Sequence, residues 1–153
     1  PFDNFHSENS HVIPALVRRF HEAKINQLEE VTAWGTGAPM REFLHVDDMA
    51  AACIHIMNLD FIAHSKITTP TLSHVNVGSG EDCTIKKLTE TIARIVQYTG
   101  KIKWDASRPD GALRKLMSAD RLRQLGWEPS ISLEVGLQNT YDWYKSNCPM
   151  ARK

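Results

Sequence analysis

Trp34-Gly35-Thr36-Gly37-Ala38-Pro39-Met40-Arg41-Glu42-Phe43-Leu44-His45-Val46-Asp47-Asp48-Met49-Ala50 joins a glycine turn, a single arginine, a short apolar strand and an acidic helix start. Thr36-Gly37-Ala38-Pro39 reads as a turn and Arg41 to His45 as a strand. Asp47 and Asp48 suit the positive end of the helix that follows. Arg41 thus stands where a turn becomes a strand. A guanidinium held there can grip a diphosphate through paired hydrogen bonds, which a flexible lysine does less well. The same placement also suits an edge arginine in a surface ion pair, an arrangement that contributes little to stability.

Outward from this stretch, helices and strands alternate. Pro14 is tolerated in a first helical turn, and Ala15, Leu16, Val17, Phe20 and Ala23 form an apolar face, which predicts a helix over 13–24. The polar run 25–31 reads as loop, 46–59 as a second helix, and 62–73 as a surface loop. His74-Val75-Asn76-Val77 reads as a strand ending at Gly78-Ser79-Gly80. Thr84 can cap a helix whose apolar positions Ile85, Leu88, Ile92 and Ile95 recur at helical spacing. Lys101 to Trp104 alternates as a short strand. A short helix is predicted over 119–125, stopped by Gly126, and a last one over 133–145. The pattern is that of an α/β fold, without repeats.

Composition narrows the function classes. At 153 residues, 42% of them hydrophobic, the chain is long enough for a single domain with its own core. Eighteen basic against eighteen acidic residues leave no net charge, so no global field draws in nucleic acid or an anionic membrane. Any phosphate site must be built locally. No apolar run reaches membrane-spanning length; even Ala50 to Met57 is short and broken by His55. Cys53, Cys83 and Cys148 are widely spaced, which suggests reduced thiols and neither a disulfide framework nor a metal site. Gly78-Ser79-Gly80 lacks a third glycine and is followed by Glu81 and Asp82, whose charge would repel a pyrophosphate; the glycines are expected to make a tight turn instead.

Several stretches carry a resemblance that covers essentially the whole chain. Asn4-Phe5-His6, Asn9-Ser10-His11-Val12-Ile13-Pro14-Ala15-Leu16, Trp34 to Ala50, Asn76-Val77-Gly78, and Arg108-Pro109-Asp110-Gly111 with Arg114-Lys115 follow one another as in the extended short-chain dehydrogenase/reductases that act on nucleotide sugars. Within them the chain resembles the branch that epimerises and reduces GDP-4-keto-6-deoxy-D-mannose with NADPH. The resemblance implies a C-terminal substrate-binding portion over 1–153, in which roughly 42–60 and 73–80 belong to the last elements of a Rossmann sheet. It also implies a cytoplasmic enzyme, homodimeric at full length. The family's Gly-rich cofactor turn is not found, and its Tyr-x-x-x-Lys pair is matched only by Tyr141 and Lys145, in the last helix, where an aromatic packing face is expected. Pro1-Phe2-Asp3-Asn4 resembles the point just after the family's Asn-x-Tyr-Gly loop, so an N-terminal half holding most of the NADP(H) site is expected to precede it.

Site residues follow from the same match. An isolated histidine at a helix start is ordinarily structural; the resemblance instead assigns His11 as the acid in epimerisation and as a contact to the cofactor. Inverting carbons beside a ketone requires taking a proton from one face and returning one to the other, and an imidazole near neutral pKa can donate the returned proton. Arg19, two helical turns beyond His11, is matched with Arg41 and Lys115 as a cation for the GDP diphosphate. Arg18 is expected to face solvent. Trp34 offers a ring face or its N–H to the substrate, or packs in the core. Asp110 can accept from guanine or ribose, although an Asp-Gly turn needs no ligand. Two other classes stay open: a different nucleotide-sugar epimerase or dehydratase, and a non-catalytic nucleotide-sugar-binding or assembly module.

Overall fold

The structure, a computed structural model, describes residues 1–7 and 9–147. Cys148 lies outside the described residues. The fold is α/β as expected, and the chain divides into two compact units: residues 1–39, 84–113 and 134–147, and residues 40–83 and 114–133.

In the first unit, α1 (Val12–Ile25) buries Pro14, Leu16, Val17, Phe20, His21 and Ala23. β1 (Glu30–Trp34) alternates, with Val31 and Ala33 inward and Thr32 and Trp34 outward. In the second unit, β2 is Met40–Glu42, α2 Val46–Met57 and α3 Phe61–Ile67. β3 (Asp82–Thr84) leads into α4 (Ile85–Val96), a helix of the first unit. The Thr84 hydroxyl accepts from the Lys87 N–H at 3.0 Å, the cap read from the sequence. Leu88, Ile92 and Val96 of α4 are fully or almost fully buried. Burial of a side chain of that size contributes about 2 kcal/mol.

β4 (Lys101–Asp105) pairs with β1 in parallel, Glu30 opposite Lys101 and Trp34 opposite Asp105. The last helix of this unit, α6 (Leu133–Asn147), buries Leu137, Tyr141 and Tyr144. Tyr141 shares a 3.1 Å hydrogen bond with His21 Nδ1, and Phe5 meets Tyr144 with ring centroids 4.7 Å apart. The Lys145 ammonium lies over the Tyr141 ring at 4.8 Å and pairs with Asp142 at 2.8 Å. The pair thus belongs to an aromatic packing face.

The second unit has a three-stranded sheet in the order β3-β2-β5, where β5 is Arg114–Lys115. Its core joins Ala52, Leu122 and Trp127, with Leu44, Ile56, Val75 and Val77 against them. Leu122 comes from α5 (Asp120–Gln124), which ends at Gly126 with φ +82°, a conformation suited to glycine. Asp48 is buried at 3% exposure and accepts from the Ser130 hydroxyl (2.9 Å) and from the N–H groups of Ser130 (3.1 Å) and Ile131 (2.9 Å).

Four expectations change. The supposed loop 25–31 already enters β1 at Glu30, and 62–73 contains most of α3, capped by Asp60 through the Ala63 N–H at 2.6 Å. His74 to Val77 joins no strand ladder among the described residues; Val75 and Val77 serve the core instead. The strand expected from Arg41 to His45 stops at Glu42. No helix among the described residues is long and apolar enough to cross a membrane, and no group of His, Cys, Asp and Glu among them could hold a metal ion.

Candidate functional site

The first unit brings Arg19 and Trp34 together. Trp34 ends β1 with its side chain on the outward face, 53% exposed, so the core alternative does not hold. The Arg19 guanidinium lies 5.1 Å from the centre of the indole ring and donates to the Thr32 carbonyl at 2.7 Å. Partial burial lowers its pKa, from a starting value so high that it stays charged at neutral pH. Ser7, Ser10, Arg19, Trp34, Thr89 and Trp104 are among the residues lining a cavity of about 250 Å³. The Ser10 hydroxyl is buried there without a hydrogen-bond partner among the described residues.

His11 is the exposed N-cap residue of α1, and its ring makes no capping bond to the helix. Its neighbours Ser10 and Val12 line the cavity; His11 does not. Arg18 departs from expectation: its side chain is only 14% exposed, donating to the Phe5 carbonyl at 3.0 Å and pairing with Glu22 at 2.7 Å.

Asp110 sits on the glycine turn. Its carboxylate accepts from the Thr36 N–H at 3.0 Å and from the Thr36 hydroxyl at 2.5 Å. One of its oxygens occupies the space a Cβ on Gly35 would need, and Gly35 has φ +79°. Arg108, part of the Arg108-Pro109-Asp110-Gly111 stretch, also lies 5.1 Å from the centre of the Trp34 ring. Sequence reasoning missed this contact. The available signal was its place two residues before Asp110.

In the second unit, Arg41 and Lys115 are register partners on β2 and β5. Arg41 is half-buried, donates to the Met40 carbonyl at 2.7 Å, and lines a cavity of about 330 Å³ with Ser79, Glu81, Asp82, Cys83 and Ser130 among others. Asp82 is paired with Arg114 at 2.6 Å. The Gly78-Ser79-Gly80 turn has an occupant of its own. Glu42 accepts from the Gly80 N–H at 2.7 Å and the Ser79 hydroxyl at 3.4 Å, and its other oxygen accepts from the Met117 N–H at 3.2 Å.

The sequence model of the NAD dependent epimerase/dehydratase family matches residues 1–78, half of the chain. The chain belongs to that family. Among epimerase/dehydratase relatives, it is 58% identical over 147 residues to GDP-L-fucose synthase of Escherichia coli (strain K12), covering 96% of this chain and 46% of the relative. It is 53% identical over 147 residues to GDP-L-fucose synthase 1 of Arabidopsis thaliana, covering 96% and 43%. A crystal structure of a GDP-L-fucose synthetase from Naegleria fowleri bound to NADP superposes with a TM-score of 0.83 at 26% identity, covering all of this chain and 46% of that one. The chain therefore spans about half the length of the relatives it matches.

Proposed function

We propose that this chain provides the substrate-binding part of an enzyme that epimerises and reduces GDP-4-keto-6-deoxy-D-mannose to GDP-L-fucose with NADPH. The observation that carries this reading is the meeting of Arg19 with the exposed Trp34 ring beside a cavity, in a sequence 58% identical to a GDP-L-fucose synthase. A cation and an aromatic face suit a nucleoside diphosphate, the guanidinium neutralising phosphate and the ring giving stacking area.

His11 is assigned as the acid that returns a proton during epimerisation, because its imidazole is exposed and uncommitted to capping. Arg41 and Lys115 are assigned as further substrate cations, and Asp110 as a substrate contact or, through Thr36, as the support of the turn beside Trp34. NADP(H) would contact His11 in this chain. The glycine turn does not fit a pyrophosphate, since Glu42 fills it, so none of the described residues is assigned a part in hydride transfer. The segments 42–60 and 73–80 are read as Rossmann-side elements, and the full-length enzyme as a cytoplasmic homodimer.

The test is thermal protection of this chain by GDP-sugars set against UDP- and dTDP-sugars. Selective protection by a GDP-sugar is expected. Preference for another nucleotide would move the chain to a different epimerase or dehydratase.

A further inference from the structure

We propose that Arg108 is a positioning residue that holds the exposed indole of Trp34 in the orientation in which the ring walls the cavity beside Arg19. The inference rests on the nucleotide-sugar reading of that cavity and extends it to a residue outside the cavity lining.

Trp34 has little packing to fix it. It stands at a strand end, outward and 53% exposed, and a tryptophan there is free to sample several rotamers. Two guanidiniums approach its ring, each 5.1 Å from the centroid. A cation over an indole face is attracted by the ring's negative quadrupole, best for tryptophan among the aromatic side chains. Arg19 is anchored by its bond to the Thr32 carbonyl. Arg108 needs an anchor of a different kind, because it belongs to an exposed loop.

The loop supplies it. The Arg108 N–H donates to the Asp105 carbonyl at 3.2 Å. Ser107 donates to the Asp105 carboxylate from its N–H at 3.0 Å and its hydroxyl at 2.6 Å. Those bonds hold the Asp105 carboxyl below its usual range, with Arg108 a lesser influence. On the far side, Asp110 is fastened to Thr36 through both carboxylate oxygens. Asp105 is the register partner of Trp34 itself. The loop is thus tied to the strand end opposite Trp34 and to the turn that follows it, and Arg108, between the ties, meets the ring.

The test uses the full chain with Arg108→Met, which keeps the stem but not the charge, and Arg108→Lys, which keeps a cation. The Trp34 indole N–H resonance, assigned by its loss in Trp34→Phe, reports ring order by nitrogen relaxation. Arg108→Met should lower that order and Arg108→Lys should retain it; unchanged order in Arg108→Met overturns the proposal. By calorimetry with GDP, Arg108→Met should weaken binding about tenfold, a 1.4 kcal/mol difference, and Arg108→Lys should restore it. In a Trp34→Ala background, Arg108→Met should have no further effect; an equal loss there means that Arg108 acts independently of the ring, which also overturns the proposal. If the unaltered chain binds no GDP, the nucleotide-sugar reading falls, while the indole measurement still decides whether Arg108 holds Trp34.

Discussion

Asp110 and Thr36 stand 74 positions apart in sequence, yet one carboxylate takes both the N–H and the hydroxyl of the threonine. The contact closes the turn after β1 onto the loop after β4. Asp110→Ala should remove both bonds and lower stability by about 1 kcal/mol, read as an earlier urea midpoint with an unchanged slope. An unchanged midpoint would leave Asp110 with a ligand-contacting role alone.

Asp48 makes the second unit acid-sensitive. Burial by itself would raise its carboxyl, but bonds from the Ile131 and Ser130 N–H groups and the Ser130 hydroxyl, with His45 nearby, bring it below the usual value. A free aspartate titrates at about 3.9. Because the folded value is lower, the stabilisation is fully present above the unfolded value and is lost as pH falls through the folded one. Urea unfolding at stepped pH should show this acid limb, flattened in Asp48→Asn, which should also cost about 1–3 kcal/mol at neutral pH. An identical limb in the variant would assign the sensitivity to other groups.

Glu42 is predicted to be structural. Glu42→Ala leaves the N–H groups of Gly80 and Met117 without their acceptor, at a cost of about 1–3 kcal/mol. Faster amide hydrogen exchange at those two positions is the specific sign to look for, and protection equal to the parent chain refutes it.

Tyr141→Phe should separate packing from chemistry. The ring stays and only the bond to His21 is lost, so a stability decrease of about 1 kcal/mol is expected with GDP affinity intact. Thermal melts and calorimetry on the same samples check both halves; a large fall in affinity would place the hydroxyl at a ligand.

For His11, the decisive setting is a catalytically complete protein containing this sequence. His11→Ala there should abolish epimerisation while GDP-sugar binding persists, followed by exchange of substrate carbon-bound protons with deuterated solvent. Product formation at the parent rate would remove His11 from the mechanism.

What was legible in the sequence divides along physical lines. α1 and α4 announced themselves because helical periodicity and caps such as Thr84 act within a few residues. β1 was missed: its buried pair, Val31 and Ala33, is brief, and the partner strand that stabilises it begins at Lys101. β3 and β5 are too short for any alternation to register. α3 buries no residue, so it has no apolar stripe to read; Asp60, its cap, was the one local clue. In the candidate site, Arg19 and Trp34 were picked out by resemblance. Arg18 was misplaced because helical spacing cannot reveal the carbonyl of Phe5 waiting outside the helix, and Glu42 was overlooked because its three donors come from two distant segments.

Each unit is assembled from separated stretches of the chain. The chain passes between them after residues 39, 83, 113 and 133. A ribosome releasing this polypeptide in order cannot complete the first unit until α6 emerges, nor the second until Leu122 and Trp127 have arrived to close on Ala52. One proteolytic nick or one truncation therefore cannot liberate either unit whole, and dissecting them requires a gene in which the separated segments of one unit are spliced together.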